Sequence, residues 1–174
     1  MDKATIELGL AEVGKHLQVP TIIILAGSAA SVLRGDITRA ARDCDVADVK
    51  PNSQEEALLG AGSAAGMALG LEPGWLNTEC MAWHQDFPIG WQQRAIPYRS
   101  FGNLDVQVIS KADCASLRVL RLAYTCDQRD LQDISEMALS SGEMELIEQH
   151  MASLEQQDYD VSIARVLLMR IRRP

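Results

Sequence analysis

The chain has 174 residues, of which 47% are hydrophobic and 23% are charged, and its formal net charge is −8. This length and composition are typical of one soluble globular domain with a sizeable core, and the acidic balance argues against a general nucleic-acid binder, which would present a basic surface. No apolar run approaches the length of a bilayer span and the N-terminus lacks the apolar segment of a signal peptide, so we expect a cytoplasmic protein with no membrane partner. The four widely spaced cysteines form no C-x-x-C pair, which predicts reduced thiols and neither a disulfide framework nor a zinc site.

The first part of the chain predicts helices and strands in alternation. In chain order these are a helix over residues 4–17, a strand over Thr21–Ala26, a helix over residues 29–33, a strand that carries Asp43 to Asp45, and a helix over residues 53–69. Ser28 is the expected N-cap of the second helix, and Ser53 with Glu56 fits a capping box for the third. The small residues of Gly60–Gly66 predict that the third helix packs closely against a neighbour.

The rest of the chain predicts a tryptophan-packed loop, a pair of strands and then helices only. The loop covers residues 70–93, the strands cover 94–100 and 104–110, and the helices cover 112–126, 129–142, 144–154 and 161–172. The fold class is therefore α/β (α+β), with a small mixed sheet of about four strands flanked by helices and a helical C-terminal half. We expect an α/β core over residues 1–110 and a helical part over residues 111–174 to pack as a single compact unit.

Two neighbouring features of the first part suggest a site for a metal ion and for phosphate. Asp43 and Asp45 are two residues apart in an extended segment, so their side chains share a face, and a cation between them would relieve their repulsion. Oxygen ligands favour a hard ion such as magnesium. Gly27-Ser28 ends the buried strand and opens a helix, whose unpaired N–H groups suit a phosphate. The alternatives are solvated acids at a strand end and an ordinary strand-to-helix turn.

The two features together form a known pattern. Gly27-Ser28, a spacer and then Asp43-x-Asp45 resemble the signature of the polymerase-β-type nucleotidyltransferase superfamily. More narrowly, the chain resembles the small bacterial nucleotidyltransferase-like proteins related to abortive-infection (AbiEii-type) toxins. Three further stretches carry this narrower resemblance, and they are Leu71-x-Pro73-x-Trp75-Leu76-Asn77, Phe101-Gly102-Asn103-Leu104 and Arg129-Asp130-x-x-Asp133.

The resemblance implies a metal-dependent nucleotidyltransferase that moves a nucleotide from a nucleoside triphosphate to an RNA acceptor, such as transfer RNA, or to a protein. It also implies an Mg²⁺ or Mn²⁺ ion and, as biological role, a toxin with a cognate antitoxin protein. The superfamily uses three carboxylates, which here would be Asp43, Asp45 and Asp105. The residues expected to bind the nucleotide phosphates are Gly27, Ser28, Arg39 and Arg118.

The chain departs from the resembled pattern at two positions. Ala41 stands where the group commonly has a threonine, and Arg118 stands where it often has a lysine. A catalytically degenerate domain that binds a nucleotide or a protein therefore stays open as an alternative, as does an interaction protein, for instance a homodimer. For Arg129-Asp130-x-x-Asp133 we favour a structural role, as a helix cap with an internal salt bridge that docks the helical half.

Overall fold

The computed structural model describes residues 1–171, and these divide into two compact units. The first unit comprises Met1–His84 and Gln92–Ile109, and the second comprises Gln85–Trp91 and the chain from Ser110 onward. The elements of the first are α1 (Lys3–His16), β1 (Thr21–Leu25), α2 (Gly27–Arg34), β2 (Cys44–Lys50), α3 (Glu55–Leu69), β3 (Leu76–Asn77), β4 (Ile96–Phe101) and β5 (Leu104–Val108). Those of the second are α4 (Lys111–Thr125), α5 (Gln128–Glu136), α6 (Ser141–Glu155) and α7 (Ser162–Ile171). Among the helices of residues 1–171, none has the length and apolar character that a membrane span requires.

A five-stranded mixed sheet forms the centre of the first unit, in the order β3-β2-β1-β5-β4. Strand β1 is antiparallel to β2 and parallel to β5, β3 is parallel to β2, and β4 is antiparallel to β5. One face of the sheet is apolar because alternate strand residues point the same way. That face carries Ile23, Leu25, Val46, Val106 and Val108, all of them buried.

Trp75 holds two helices of the first unit close to β3. Its indole N–H donates a hydrogen bond of 2.8 Å to the Gly62 carbonyl oxygen in α3. A Cβ at Gly9 in α1 would lie 2.5 Å from the Trp75 ring, and a Cβ at Gly62 would lie 2.9 Å from Cδ2 of Leu76. The small residues of α3 therefore permit the close packing that the sequence indicated.

The α/β fold class and the mixed sheet flanked by helices are confirmed. The sheet has five strands because the two-residue strand β3 forms inside the predicted tryptophan-packed loop. Two predicted caps are wrong. The N-cap of α2 is Ala26, with no side-chain hydrogen bond, and a 3-10 turn over Asn52–Gln54 precedes α3 in place of the capping box.

Three helices of the helical unit begin at an N-cap whose side chain accepts a backbone hydrogen bond. Ser110 caps α4, Asp127 caps α5, and Ser140 forms a reciprocal capping box with Glu143 at α6. Each cap satisfies backbone N–H groups that have no partner inside the helix. The last predicted helix is α7, and Arg172 at its predicted end lies outside the described residues. The packing of residues 1–110 and 111–174 as one unit stays a prediction.

Two glycines of α3 test the close packing at β3. Gly60→Ala should raise the free energy of unfolding by about 0.5–1 kcal/mol, since nothing lies within 4 Å of the added Cβ and alanine favours a helix. Gly62→Ala should lower it by about 1–3 kcal/mol, because the added methyl group meets Leu76. Urea unfolding of both variants measures the difference, and equal effects would contradict close packing of α3 against Leu76.

Candidate functional site

The turn at the end of β1 is pressed against the Asp45 carboxylate. The Ala26 N–H donates a 2.8 Å hydrogen bond to the Asp45 carbonyl oxygen, which aligns the two strands at this level. Gly27 has a φ of +62°, and a Cβ there would lie 2.5 Å from Oδ2 of Asp45. Glycine is thus required both for the backbone conformation and for space. The carboxylate lies at the first residue of α2, where the helix dipole favours negative charge.

A β-bulge decides that Asp45 points to this turn. Ile24 pairs with Asp48, but Leu25 pairs with Val46, so Ala47 is an extra residue in β2. The extra residue puts Val46 on the buried apolar face and Asp45 on the opposite face. In an unbroken register the alternation would place Asp45 in the core.

Arg39 brings a positive charge to the same turn. Its Nη2 donates a 3.0 Å hydrogen bond to the Ser28 hydroxyl, and its Nη1 donates one of 3.2 Å to the Ala40 carbonyl oxygen. Ser28, expected as an N-cap, instead lies inside the first turn of α2. Gly27, Ser28, Arg39 and Asp45, four of the sequence-predicted site residues, therefore lie together.

Asp43 lies one residue before β2, and its carboxylate accepts bonds of 2.9 and 2.7 Å from the Arg42 guanidinium. The Arg42 side chain is 91% exposed, so this ion pair is in contact with solvent and contributes little to stability. Cys44, between the two acids, is fully buried. Burial raises the pKa of its thiol, and the charges of Asp45 and Asp43 raise it further, so Cys44 is not an activated nucleophile.

Asp105 lies elsewhere on the sheet, and the expectation that it completes a three-carboxylate group is not supported. It pairs with Ile22 near the start of β1, whereas Asp45 is level with Ala26 at the end. Four residues of strand separate these levels by about 13 Å. On β5, the side chain on the same face nearer the turn is that of Gln107, which pairs with Ile24.

Asn77 of β3 is a neighbour of Asp45 and was not among the predicted site residues. Leu76 pairs with Cys44 and Asn77 pairs with Asp45 in the parallel ladder. The sequence motif included Asn77, but a strand of two residues between Gly74 and a 3-10 segment gives no alternating pattern that would predict its partner.

The comparison with protein families accords with this geometry. Residues 4–166 match the family described as a nucleotidyltransferase of unknown function (DUF6036). The chain belongs to this family. The nucleotidyltransferase part of the sequence resemblance is thereby confirmed, whereas the narrower relation to AbiEii-type toxins is not. No curated protein and no solved structure matches the chain.

In this DUF6036 chain, Arg118 forms buried ion pairs inside the helical unit. The Arg118 guanidinium in α4 is buried and pairs with the buried carboxylates of Asp130, at 3.2 Å, and Asp133 of α5. Nε of Arg121 also donates to Asp130, at 2.7 Å. The prediction that Arg118 binds phosphate is therefore not supported, because its guanidinium is buried and already paired with two acids of α5. These ion pairs supply the internal salt bridge expected of Arg129-Asp130-x-x-Asp133, but the N-cap of α5 is Asp127, which lies outside this motif.

The side-chain oxygens at the start of β2 fit a hard divalent ion. Among residues 1–171, no group of three or more His, Cys, Asp or Glu side chains could hold a metal ion. Asp43, Asp45 and Asn77 nevertheless offer only oxygen ligands from the side-chain groups that Mg²⁺ and Mn²⁺ accept. Mg²⁺ is usually bound by one or two carboxylates together with water and substrate phosphates, so two carboxylates are enough for a site completed by a nucleotide.

Arg118→Met tests whether this arginine is structural. We expect it to lower the free energy of unfolding by about 3–5 kcal/mol, because it removes the buried cation that pairs with Asp130 and Asp133. Arg129→Met is the matched control, since the side chain is 73% exposed and pairs with Asp127 at the surface, and its loss should cost less than about 1 kcal/mol. Thermal and urea unfolding compare the two, and an unchanged stability in Arg118→Met would contradict the structural role.

Proposed function

We propose that the protein is a metal-dependent nucleotidyltransferase that transfers a nucleoside monophosphate from a nucleoside triphosphate to an acceptor hydroxyl. The observation that carries the proposal is the contact between the Asp45 carboxylate and Gly27, with Arg39 bound to Ser28 beside it. This turn combines a carboxylate, the start of a helix and an arginine. Such a combination suits a substrate that carries both phosphates and a cation. The family match supports the reaction class.

The triphosphate would lie against the first turn of α2. Backbone N–H groups at a helix start and the positive end of the helix dipole attract phosphate oxygens. Gly27 lets the backbone approach the phosphates closely, the Ser28 hydroxyl can donate to them, and Arg39 adds a planar cation suited to phosphate. Asp43 and Asp45 would hold the divalent ion, which would supply positive charge to the bound phosphates.

The reaction is a single displacement at phosphorus. The acceptor oxygen forms a bond to the α-phosphorus, the bond from that phosphorus to the α,β-bridging oxygen breaks, pyrophosphate leaves and the acceptor proton is released. When bound, Mg²⁺ or Mn²⁺ supplies charge neutralisation and alignment for this in-line step. The chain's own part is to fix Asp45 at the turn and to hold Arg39 on Ser28, so that the phosphates bind in one orientation.

A second candidate is a nucleotide-binding module without catalysis. The superfamily takes its third carboxylate from a neighbouring strand. The observation that favours this candidate is that the side chains nearest the turn on β3 and β5 are the amides Asn77 and Gln107. Ala41, buried and without a hydroxyl, adds to this alternative. Such a protein would bind nucleotide with magnesium and release it unchanged.

Acceptor and biological role follow from the resemblance. The acceptor would be an RNA end, such as that of transfer RNA, or a protein hydroxyl in the cytoplasm. The role would be that of a toxin neutralised by an antitoxin protein. The oligomeric state is left open, with a homodimer as one alternative.

Incubation with each α-labelled nucleoside triphosphate, Mg²⁺ or Mn²⁺, total RNA and total protein tests the proposal. Wild type should label one class of acceptor, and Asp45→Asn should lower the rate by at least about a hundredfold, because the site loses charge stabilisation. Asp105→Asn is the matched control and should keep the wild-type rate. Equal rates in wild type and Asp45→Asn would contradict the proposal, and nucleotide binding without transfer would favour the binding module.

A further inference from the structure

Asn77 is placed next to Asp45 by backbone pairing. Strand β3 consists of Leu76 and Asn77, and it extends the sheet beyond β2 in parallel orientation. Paired residues on neighbouring strands lie about 4.8 Å apart and point their side chains to the same face. Leu76 shares the buried face with Cys44, and Asn77 shares the opposite face with Asp45.

The Asn77 side chain is oriented by the chain that follows it. Its Oδ1 accepts a 3.1 Å hydrogen bond from the Glu79 N–H. The next residue, Thr78, donates a 2.7 Å bond to Glu55 at the start of α3. An amide oxygen has two lone pairs, so Oδ1 of Asn77 retains one acceptor site while it orders this turn.

We propose that Asn77 is the third protein ligand of the divalent ion, and that the site therefore holds its metal with two carboxylates and one neutral amide. This inference rests on the proposed function. Strand β3, which adjoins β2, supplies the ligand, and β5 does not, because Asp105 lies four residues from the level of Asp45 and β1 separates β5 from β2.

The neutral ligand has a consequence for affinity. Metal affinity at oxygen sites depends on the number of charged ligands, so two carboxylates and an amide bind a free ion more weakly than three carboxylates would. Tight binding of the ion would therefore need the triphosphate, whose phosphate oxygens would supply the missing negative charge. An acid at position 77 should strengthen the binding of the ion without nucleotide.

Mn²⁺ titration of the intact protein, with free ion followed by electron paramagnetic resonance, tests this inference without an activity assay. Asn77→Asp should bind Mn²⁺ about tenfold more tightly than wild type, and Asn77→Leu should bind it at least about fivefold more weakly. Asn77→Asp keeps the oxygen that accepts from Glu79, so it preserves the turn. Asn52→Asp is the matched charge control, since Asn52 is exposed beyond the opposite end of β2, and its affinity should equal that of wild type.

The outcomes separate this inference from the proposed function. If Asp45→Asn loses Mn²⁺ binding and both Asn77 variants bind as wild type does, the role of Asn77 is overturned and the proposed function stands. If Asn77→Asp tightens binding and no acceptor is ever labelled, the role of Asn77 stands and nucleotidyl transfer fails. Equal gains in Asn77→Asp and Asn52→Asp, or undetectable binding in both wild type and Asn77→Asp, would overturn the inference. If Asn77→Leu does not fold, the difference in Mn²⁺ affinity between Asn77→Asp and Asn52→Asp still tests the inference.

Discussion

The contact between Gly27 and the Asp45 carboxylate is the constraint on which the site depends. A side chain at position 27 would collide with Oδ2 of Asp45, and the backbone there is left-handed. The absence of a Cβ therefore lets an acid reach a helix start. Arg39 on Ser28 adds the opposite charge within the same turn. A buried strand, a tight turn and one loop thus bring together groups that attract both a cation and phosphates.

Strand register determines which acids lie near the turn that follows β1. The bulge at Ala47 sends Asp45 to the turn side of the sheet, since one extra residue reverses the faces of all that precede it. Parallel pairing of β5 with β1 leaves Asp105 near the opposite end of the sheet. The two-residue strand β3 brings in Asn77 through pairing alone. The side chains that lie beside Asp45 therefore follow from three strand pairings rather than from the number of acids in the sequence.

The sequence could predict the local parts of this arrangement. The apolar run of β1, the glycine turn and the spacing of Asp43 and Asp45 are short-range signals. Of the residues chosen from them, Gly27, Ser28, Arg39 and Asp45 lie together in the structure. The role of these residues in catalysis stays a prediction. The α/β class followed likewise from alternating helix and strand patterns.

What the sequence could not predict depends on long-range pairing or burial. Nothing local distinguishes Asp105 from Gln107, because only the register with β1 decides which is nearer the turn. The sequence alone does not indicate which acids pair with Arg118. The packing of α5 against α4 brings Asp130 and Asp133 to its guanidinium. Ser28 fits the usual residue preference of an N-cap, but the helix begins one residue earlier at Gly27.

A crystal structure of the protein with Mn²⁺ and a non-hydrolysable triphosphate analogue, with manganese located by anomalous scattering, tests the central claim most directly. We expect a manganese peak coordinated by Asp45 and by phosphate oxygens, with the phosphates against Gly27-Ser28 and within reach of Arg39. A nucleotide bound elsewhere, with Asp45 still packed on Gly27 and without contact to the ion, would contradict it.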